Sequence, residues 1–185
     1  MAVWAGNRSL EVVTFALDGE VFALDAALVR EILDVIPITE VPGSQPFVNG
    51  LINVRGKVVP LADLRLKFGM EVRPPTIDTR ILAIEIELDG DPTLVGIRAD
   101  KVYEVTELAP AALEETPKIG MKWPAEYIRC IGKRGAEFIV VLDIERIFAR
   151  QGIGDSLLAG EAGARIGVGG LAAAAVNIAT IASNG

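Results

Sequence analysis

The sequence predicts a mainly β protein in which two small β-barrels pack on each other. Short runs of alternating apolar residues are separated by turn signals, a pattern typical of antiparallel strands. The order of these features in residues 11–69 begins again in residues 79–150, which indicates an internal duplication. A unit of about 60 residues would bury only about 60% of its unfolded surface, so we expect the two units to share a larger core.

The first strands form a predicted hairpin. Apolar residues alternate in Val13–Leu17, and Val21–Leu24 returns after the two-residue turn Asp18-Gly19. An Asp-Gly pair between two β-rich runs is a strong hairpin signal, because both turn positions need a positive φ.

A short helix is predicted to follow this hairpin. Asp25 is a suitable helix cap, and Leu28 and Ile32 would share one helical face at a spacing of four residues. Pro37 is expected to end the helix, and Ile38–Val41 is predicted to form another strand.

A second hairpin and a second helix complete the first unit. Leu51–Arg55 and Val58–Leu61 are predicted to pair around Gly56. Asp63 is then expected to cap a short helix over Leu64–Phe68, which a glycine ends.

The second unit repeats these features after a linker over residues 70–78 that contains two adjacent prolines. Leu82–Leu88 and Thr93–Ile97 are predicted to pair across another Asp-Gly turn. Val102–Val105 then stands in the place that Val29–Ile32 occupies in the first unit.

The second hairpins of the two units also correspond. Residues 127–135 resemble residues 47–56, and each segment leads to a strand, an aspartate (Asp63 or Asp143) and a short amphipathic helix. The interval from the Arg-Gly pair to the aspartate differs by one residue, and we expect a β-bulge to absorb it.

These features divide the chain into an N-terminal tail (1–10), a domain (11–150) and a C-terminal tail (151–185). The domain contains two subdomains, roughly 11–69 and 79–150, and an exchange of strands between them stays open. Glycine and alanine supply 17 of the 35 tail residues, so a flexible tail is predicted. No apolar run reaches the roughly 18 residues of a spanning helix, so we expect a cytoplasmic protein with no direct membrane insertion.

Composition argues against several function classes. The net charge of −7 disfavours binding to nucleic acid, whose phosphates need clustered lysine and arginine. The chain has no histidine, the commonest general base and zinc ligand, and one cysteine, Cys130, which is predicted to be a small buried core residue. We therefore expect no catalytic residue, no metal site and no cofactor.

The most specific motif is the stretch from Gly50 to Arg65, which reads GLINVRGKVVPLADLR. Together with Asp18-Gly19-Glu20 and Val29–Ile32, it closely resembles the CheW family of chemotaxis coupling proteins. The resemblance covers about residues 11–150 and leaves the C-terminal tail outside.

This resemblance implies a non-catalytic adaptor with two five-stranded barrels around a shared hydrophobic core. Such an adaptor couples methyl-accepting chemoreceptors to a CheA-type histidine kinase. The cytoplasmic tip of the receptor is expected in the groove between the barrels, and the regulatory domain of the kinase at the barrel ends. The protein is expected to be a monomer alone and to join rings or arrays at membrane-associated receptors.

The resemblance also implies site residues. It places Val29, Glu31 and Arg55 near the receptor-binding surface. We predict in addition that Val29 and Ile32 supply apolar contact, and that Arg55 is held by Glu31 and donates to receptor carboxylates or carbonyls. Gly50 and Val58 are our predictions for the kinase-binding surface.

Other functions remain open at this stage. An adaptor of the same fold can serve a pilus or second-messenger chemosensory system, which the sequence does not distinguish. A small-ligand-binding β-barrel would need an enclosed cavity with converging polar groups. An enzyme is the least favoured alternative because there is no histidine.

Overall fold

The computed structural model of the protein describes residues 8–44, 46–117 and 120–149. This part of the chain is mostly β, as predicted, with two short α-helices. The strands are β1 Leu10–Leu17, β2 Glu20–Asp25, β3 Val29–Asp34, β4 Val48–Val54, β5 Lys57–Ala62, β6 Arg80–Leu88, β7 Asp91–Ala99, β8 Lys101–Leu108, β9 Leu113–Glu114, β10 Ile128–Arg134 and β11 Glu137–Leu142, and the helices are α1 Leu64–Phe68 and α2 Ile144–Ala149. The C-terminal tail over 151–185 and the first seven residues lie outside the described residues.

The strands form two sheets rather than two closed five-stranded barrels. The larger sheet has the order β8-β1-β2-β11-β10-β9, and the smaller sheet has the order β3-β6-β7-β5-β4. The expectation of five strands in each unit is corrected for the larger sheet, because the two-residue strand β9 pairs with β10 and adds a sixth member.

Each sheet combines strands from both halves of the chain, where the first half is β1–β5 with α1 and the second half is β6–β11 with α2. The hairpin β1–β2 lies between β8 and β11, and the hairpin β6–β7 lies between β3 and β5. The junctions β2–β11 and β5–β7 are parallel pairs. Neither half therefore contains a complete sheet of its own.

The predicted hairpin turns are confirmed. Asp18 and Gly19 have φ values of +49° and +79°, and Arg55 and Gly56 have +52° and +85°. Two successive positive φ angles give a turn whose twist matches the right-handed twist of the paired strands.

The helix predicted after Asp25 is wrong. Asp25 does act as a cap, since its Oδ1 accepts a hydrogen bond from the Ala27 amide at 2.9 Å. It caps only the 3₁₀ turn Ala26–Leu28, and the chain then continues as β3, so Leu28 and Ile32 do not share a helical face. Pairing with β6 fixes the extended form, which suits the β-branched residues in this segment.

Two further expectations fail for local reasons. The strand predicted over Ile38–Val41 is reduced to one bridge, between Thr39 and Leu51, because flanking prolines cannot donate to a ladder. No bulge is needed before Asp143. Arg134 pairs with Glu137, so Gly135 rather than Arg134 occupies the turn position of Arg55, and the intervals to the two aspartates are equal.

Helix α1 is fixed by an ionic network that joins the two sheets. Arg65 is 1% exposed and donates to Asp63 Oδ2 at 2.5 Å and to Asp100 Oδ1 at 2.6 Å. Asp100 follows β7, and its Oδ2 accepts a hydrogen bond from the Asp18 amide in the β1–β2 turn at 2.6 Å. The network therefore ties the turn of the larger sheet to the end of the smaller one.

A lysine lies between the halves. Lys67 Nζ is 4.7 Å from the ring centroids of both Phe47 and Tyr127. It also donates to the Ile147 carbonyl of α2 at 2.6 Å. Burial lowers the pKa of Lys67 to about 8.

Candidate docking surfaces

The first docking face comprises Glu31 and Ile32 of β3 together with Arg55 and Val58 at the β4–β5 turn. Arg55 Nε donates to Glu31 Oε2 and Arg55 Nη2 donates to Glu31 Oε1, each at 2.8 Å. This two-pronged geometry fixes the direction of the guanidinium plane as well as its charge. The structure therefore brings together the two charged residues that the sequence analysis paired.

The pair leaves hydrogen-bond donors of Arg55 available. The Arg55 side chain is 80% exposed and that of Glu31 is 26% exposed. The hydrogen bond from Arg55 lowers the pKa of Glu31, so the carboxylate stays ionised at neutral pH. Neither bond uses Arg55 Nη1, and the exposure of the side chain leaves the Nη1 donors accessible to a partner.

Val29 and Ile32 lie on one side of β3 because of an irregularity in the strand. Val29 pairs with Ile84 and Ile32 pairs with Leu82, and these two β6 positions share a face. The register shifts between Val29 and Glu31, and this bulge brings Val29 and Ile32 to the same side. Glu31, next to Ile32, points to the opposite side, so the first docking face includes both sides of the edge strand β3.

The two predicted kinase-binding residues have different environments. Val58 is 72% exposed beside the Arg55 turn. Gly50 is buried in β4 with a φ of +146°, and a Cβ there would lie 2.3 Å from the Thr39 carbonyl oxygen. Gly50 therefore positions the strand beneath the surface, while Val58 is available for direct contact.

Sequence reasoning missed a second docking face on the larger sheet. It comprises Tyr103 and Val105 of β8, Phe138 of β11 and the ion pair of Glu104 with Arg134. The three apolar side chains are 51%, 61% and 62% exposed. Arg134 Nη1 donates to Glu104 Oε1 at 2.5 Å.

The second face repeats the first through the internal duplication. Glu104 stands where Glu31 stands, and Phe138 occupies the second position of β11 as Val58 occupies that of β5. The correspondence between Val29–Ile32 and Val102–Val105 was visible in the sequence and was sufficient to locate this face. The ion pair of Arg134 with Glu104 was not predicted, because Arg134 is the last residue of a strand, whereas Arg55 lies in the turn.

Exposed apolar side chains beside a directed ion pair suit protein docking. Grouped exposed apolar residues commonly mark interaction sites, and the ion pair supplies orientation. No helix of the described residues is long and apolar enough to cross a membrane.

Comparison with known proteins places this architecture in a family. Residues 11–152 match the CheW-like domain. Chemotaxis protein CheW of Klebsiella aerogenes is 28% identical over 141 residues, covering 76% of this chain and 82% of that protein. Chemotaxis protein CheW of Treponema pallidum is 26% identical over 147 residues, covering 78% and 85% respectively.

A solved structure shows the same fold. The crystal structure of the scaffolding protein TtCheW from Thermoanaerobacter tengcongensis is similar with a TM-score of 0.67 and 29% sequence identity, covering 76% of this chain and 93% of that one. The family match spans both sheets and both docking faces. The chain therefore belongs to the family of CheW-like domains.

Proposed function

We propose that this protein is a non-catalytic adaptor that couples methyl-accepting chemoreceptors to a CheA-type histidine kinase in chemosensory arrays. The observation that carries the proposal is the presence of two matching docking faces on different sheets of a CheW-like domain. An adaptor in a ring must contact several neighbours at once, which needs separate surfaces on a stable scaffold. Array recruitment gives the protein its place in the cell at the cytoplasmic end of the receptors.

The receptor tip is a helical hairpin, and its proposed contacts are Val29, Glu31, Ile32 and Arg55. Helix-in-groove recognition uses apolar contact with polar groups at the edge. Val29 and Ile32 supply the apolar contact because they share a side of β3. Arg55, held by Glu31, offers its unused N–H groups to receptor carboxylates or carbonyls.

The kinase regulatory domain is proposed to contact Val58 directly, and the buried Gly50 is proposed to position the strand β4 below this contact. Val58 presents the exposed apolar surface, and Gly50 keeps the strand close to Thr39. The second docking face is proposed to receive another regulatory domain. Alternating contacts at the two faces build a ring.

Co-sedimentation with receptor and kinase tests the proposal. The wild-type chain should sediment in a ternary complex and raise kinase activity. Arg55→Ala should reduce receptor binding, because the directed donor is lost. Arg73→Ala is the matched control, since Arg73 is also exposed and paired with an acid but lies in the linker. Unchanged receptor affinity in Arg55→Ala would remove Arg55 from the site.

The kinase surface has its own test. Val58→Asp should weaken binding of the regulatory domain, because a charge would be buried at the contact. Ile77→Asp is the control, since Ile77 is 90% exposed but distant in sequence from either face. Equal kinase binding by both variants, with unchanged circular dichroism, would exclude Val58 from the interface.

A pilus-motility adaptor is the second candidate. Protein PilI of Pseudomonas aeruginosa is 31% identical over 100 residues, covering 54% of this chain and 51% of that protein. The CheW proteins match a longer part of the chain, which favours the chemotaxis adaptor. Binding to receptors of the two systems in parallel distinguishes the candidates.

A further inference from the structure

Two strand pairs in each sheet join the two halves of the chain: β1–β8 and β2–β11 in the larger sheet, and β3–β6 and β5–β7 in the smaller one. Strand β1 pairs with β8 from Leu10 opposite Leu108 to Ala16 opposite Lys101. Strand β3 pairs in the same way with β6. A separated half would therefore expose the unpaired edges of both its hairpin and its remaining strands.

Polar contacts also require both halves. Arg65 of the first half pairs with Asp100 of the second at 2.6 Å. Asp25 of the first half accepts a hydrogen bond from Arg129 of the second at 2.9 Å. A half separated from its complement would lose these partners as well as the shared core, so each first half needs a second half.

The connection between the halves, in contrast, belongs to neither sheet. Residues 71–78 are all exposed. The backbone amide of Glu71 donates to Asp18 at 3.2 Å, and the carbonyl of Arg73 accepts from Arg98 at 3.1 Å. These contacts lie at the surface, where water competes with them. Pro74 and Pro75 fix φ and favour an extended path.

We propose that two copies of this chain, which is expected to be a monomer when dilute, exchange halves through the linker at high concentration and form a dimer. Each folded unit then contains residues 10–69 of one chain and residues 80–149 of the other. All strand pairs and buried ionic contacts are preserved, and only the linker changes conformation. The linker of about ten residues spans about 30 Å when extended, which gives the two units room to separate.

The exchanged dimer keeps the residues of the first docking face together and changes only the chain that supplies the neighbouring strand. Strand β3 carries Glu31 and Ile32, and it pairs with β6 of the second half. In the dimer, β3 from one chain therefore pairs with β6 from the other. Both docking faces remain complete, and two adaptors are physically linked.

A pair of cysteines across the halves distinguishes exchange from ordinary association. Glu11 and Glu107 are exposed and stand directly opposite each other on β1 and β8. The variant with Glu11→Cys and Glu107→Cys is reduced, concentrated to allow exchange, separated by size and oxidised. The exchanged dimer gives chains joined by disulfides on a non-reducing denaturing gel, whereas the monomer gives an internal bond.

The control places both cysteines within one half. Asn53 and Val58 are opposite each other on β4 and β5, so Asn53→Cys with Val58→Cys should give single-chain bands from every size fraction. The native Cys130 is buried and is present in both variants. A dimer fraction whose Glu11–Glu107 cysteines join within one chain would overturn the proposal.

Linker length supplies an independent readout. Deletion of residues 72–76 should raise the dimer association constant at least about tenfold, because a short linker reduces the effective concentration of one half at the other. A shortened chain that stays a folded monomer at high concentration would contradict the proposal. If the shortened chain does not fold, the test depends on the variant with Glu11→Cys and Glu107→Cys and the native linker. The proposal is excluded if this variant forms no more interchain disulfide than the Asn53→Cys, Val58→Cys control.

Discussion

Arg65 is the largest side chain that is completely buried among the described residues. Its guanidinium is neutralised by Asp63, which is 0% exposed, and by Asp100. Bringing two charges out of water is costly, so such a pair is tolerated only when its geometry satisfies the donors and acceptors. The benefit of the network is therefore largely the specific alignment of α1 with both sheets.

Removing one partner should reveal that cost. Arg65→Met leaves the buried Asp63 carboxylate without its cation, and we expect the free energy of unfolding to fall by about 3–5 kcal/mol. Urea denaturation followed by circular dichroism measures the change.

The matched control removes both charges. Asp63→Asn combined with Arg65→Met should regain part of the loss, because asparagine still caps α1 and no unpaired charge remains. A loss below about 1 kcal/mol for Arg65→Met alone would contradict the assigned role of the network.

Lys67 gives a second prediction at the residue scale. Its pKa is about 8 in the folded protein, compared with 10.5 for an ordinary lysine, because the ammonium is partly buried. Between these values the unfolded chain binds more protons than the folded chain, so the contribution of Lys67 to stability rises with pH. Below pH 8 both states are protonated, and the full cost of burying the cation applies.

Comparison with Lys67→Met isolates this contribution. The difference in unfolding free energy between the variant and wild type should favour the variant most below pH 8. As the pH rises to about 10.5, the unfolding free energy of wild type should increase relative to that of the variant. Denaturation at a series of pH values measures it, and a difference that is constant from pH 7 to 10.5 would exclude this role for Lys67.

At the scale of elements, the pairing of β4 with the segment before it depends on Gly50. The Thr39 amide donates to the Leu51 carbonyl and the Leu51 amide donates to the Thr39 carbonyl, both at 2.8 Å. A Cβ at Gly50 would approach the Thr39 oxygen to 2.3 Å, so one of these backbones must move. The bridge links the loop after β3 to β4 and so supports the first docking face.

Gly50→Ala should therefore destabilise the protein more than an alanine at a glycine with free space. Gly56 also has a positive φ, +85°, but a Cβ there meets nothing within 4 Å. We expect a loss of about 1–2 kcal/mol for Gly56→Ala from backbone strain, and about 1–3 kcal/mol more for Gly50→Ala. Equal thermal and urea stability of the two variants would show that the strand relaxes without cost.

At the scale of the whole molecule, the two docking faces belong to different sheets and should act independently. Val58→Asp should weaken one contact of the kinase regulatory domain and Phe138→Asp the other. Their effects on ring assembly should add, because separated sites without shared contacts are additive. Titration calorimetry with the isolated domain, compared with co-sedimentation of complete arrays, measures both effects.

Each isolated contact is expected to be weak. Modest exposed faces are typical of transient complexes, so we predict micromolar affinity for the isolated pairs and stronger binding in arrays through effective concentration. A nanomolar isolated pair, or loss of both contacts from one substitution in a folded variant, would contradict this independence.

Local features of the fold were predictable because neighbouring residues produce them. The Asp-Gly and Arg-Gly turns, the cap of α1 by Asp63 and the alternating strands follow from backbone preferences and short-range hydrogen bonds. For the segment after Asp25, the same reasoning predicted a helix where the structure has a strand. Its helical spacing was overruled by pairing with β6, which lies far away in the sequence.

The candidate site was predictable to the same extent. The family motif and the duplication indicated Glu31 and Arg55, and the structure joins them. The burial of Gly50 and the bulge that aligns Val29 with Ile32 depend on contacts with other strands. The duplication implied the corresponding face around Phe138. Its ion pair between Arg134 and Glu104 was not predictable, because Arg134 lies one residue before the position that corresponds to Arg55.

The pattern of the chain alone thus predicted the mainly β character, the hairpins and the family, and it indicated the duplication. Which hairpin joins which sheet became apparent only in the folded molecule, and so did the burial of Arg65 between the halves. The reason is that an amphipathic hairpin defines which of its faces is apolar, but any sheet edge with matching geometry satisfies its hydrogen bonds. The choice between edges is made by packing among residues distant in sequence, and here that choice exchanges the first hairpin of each half.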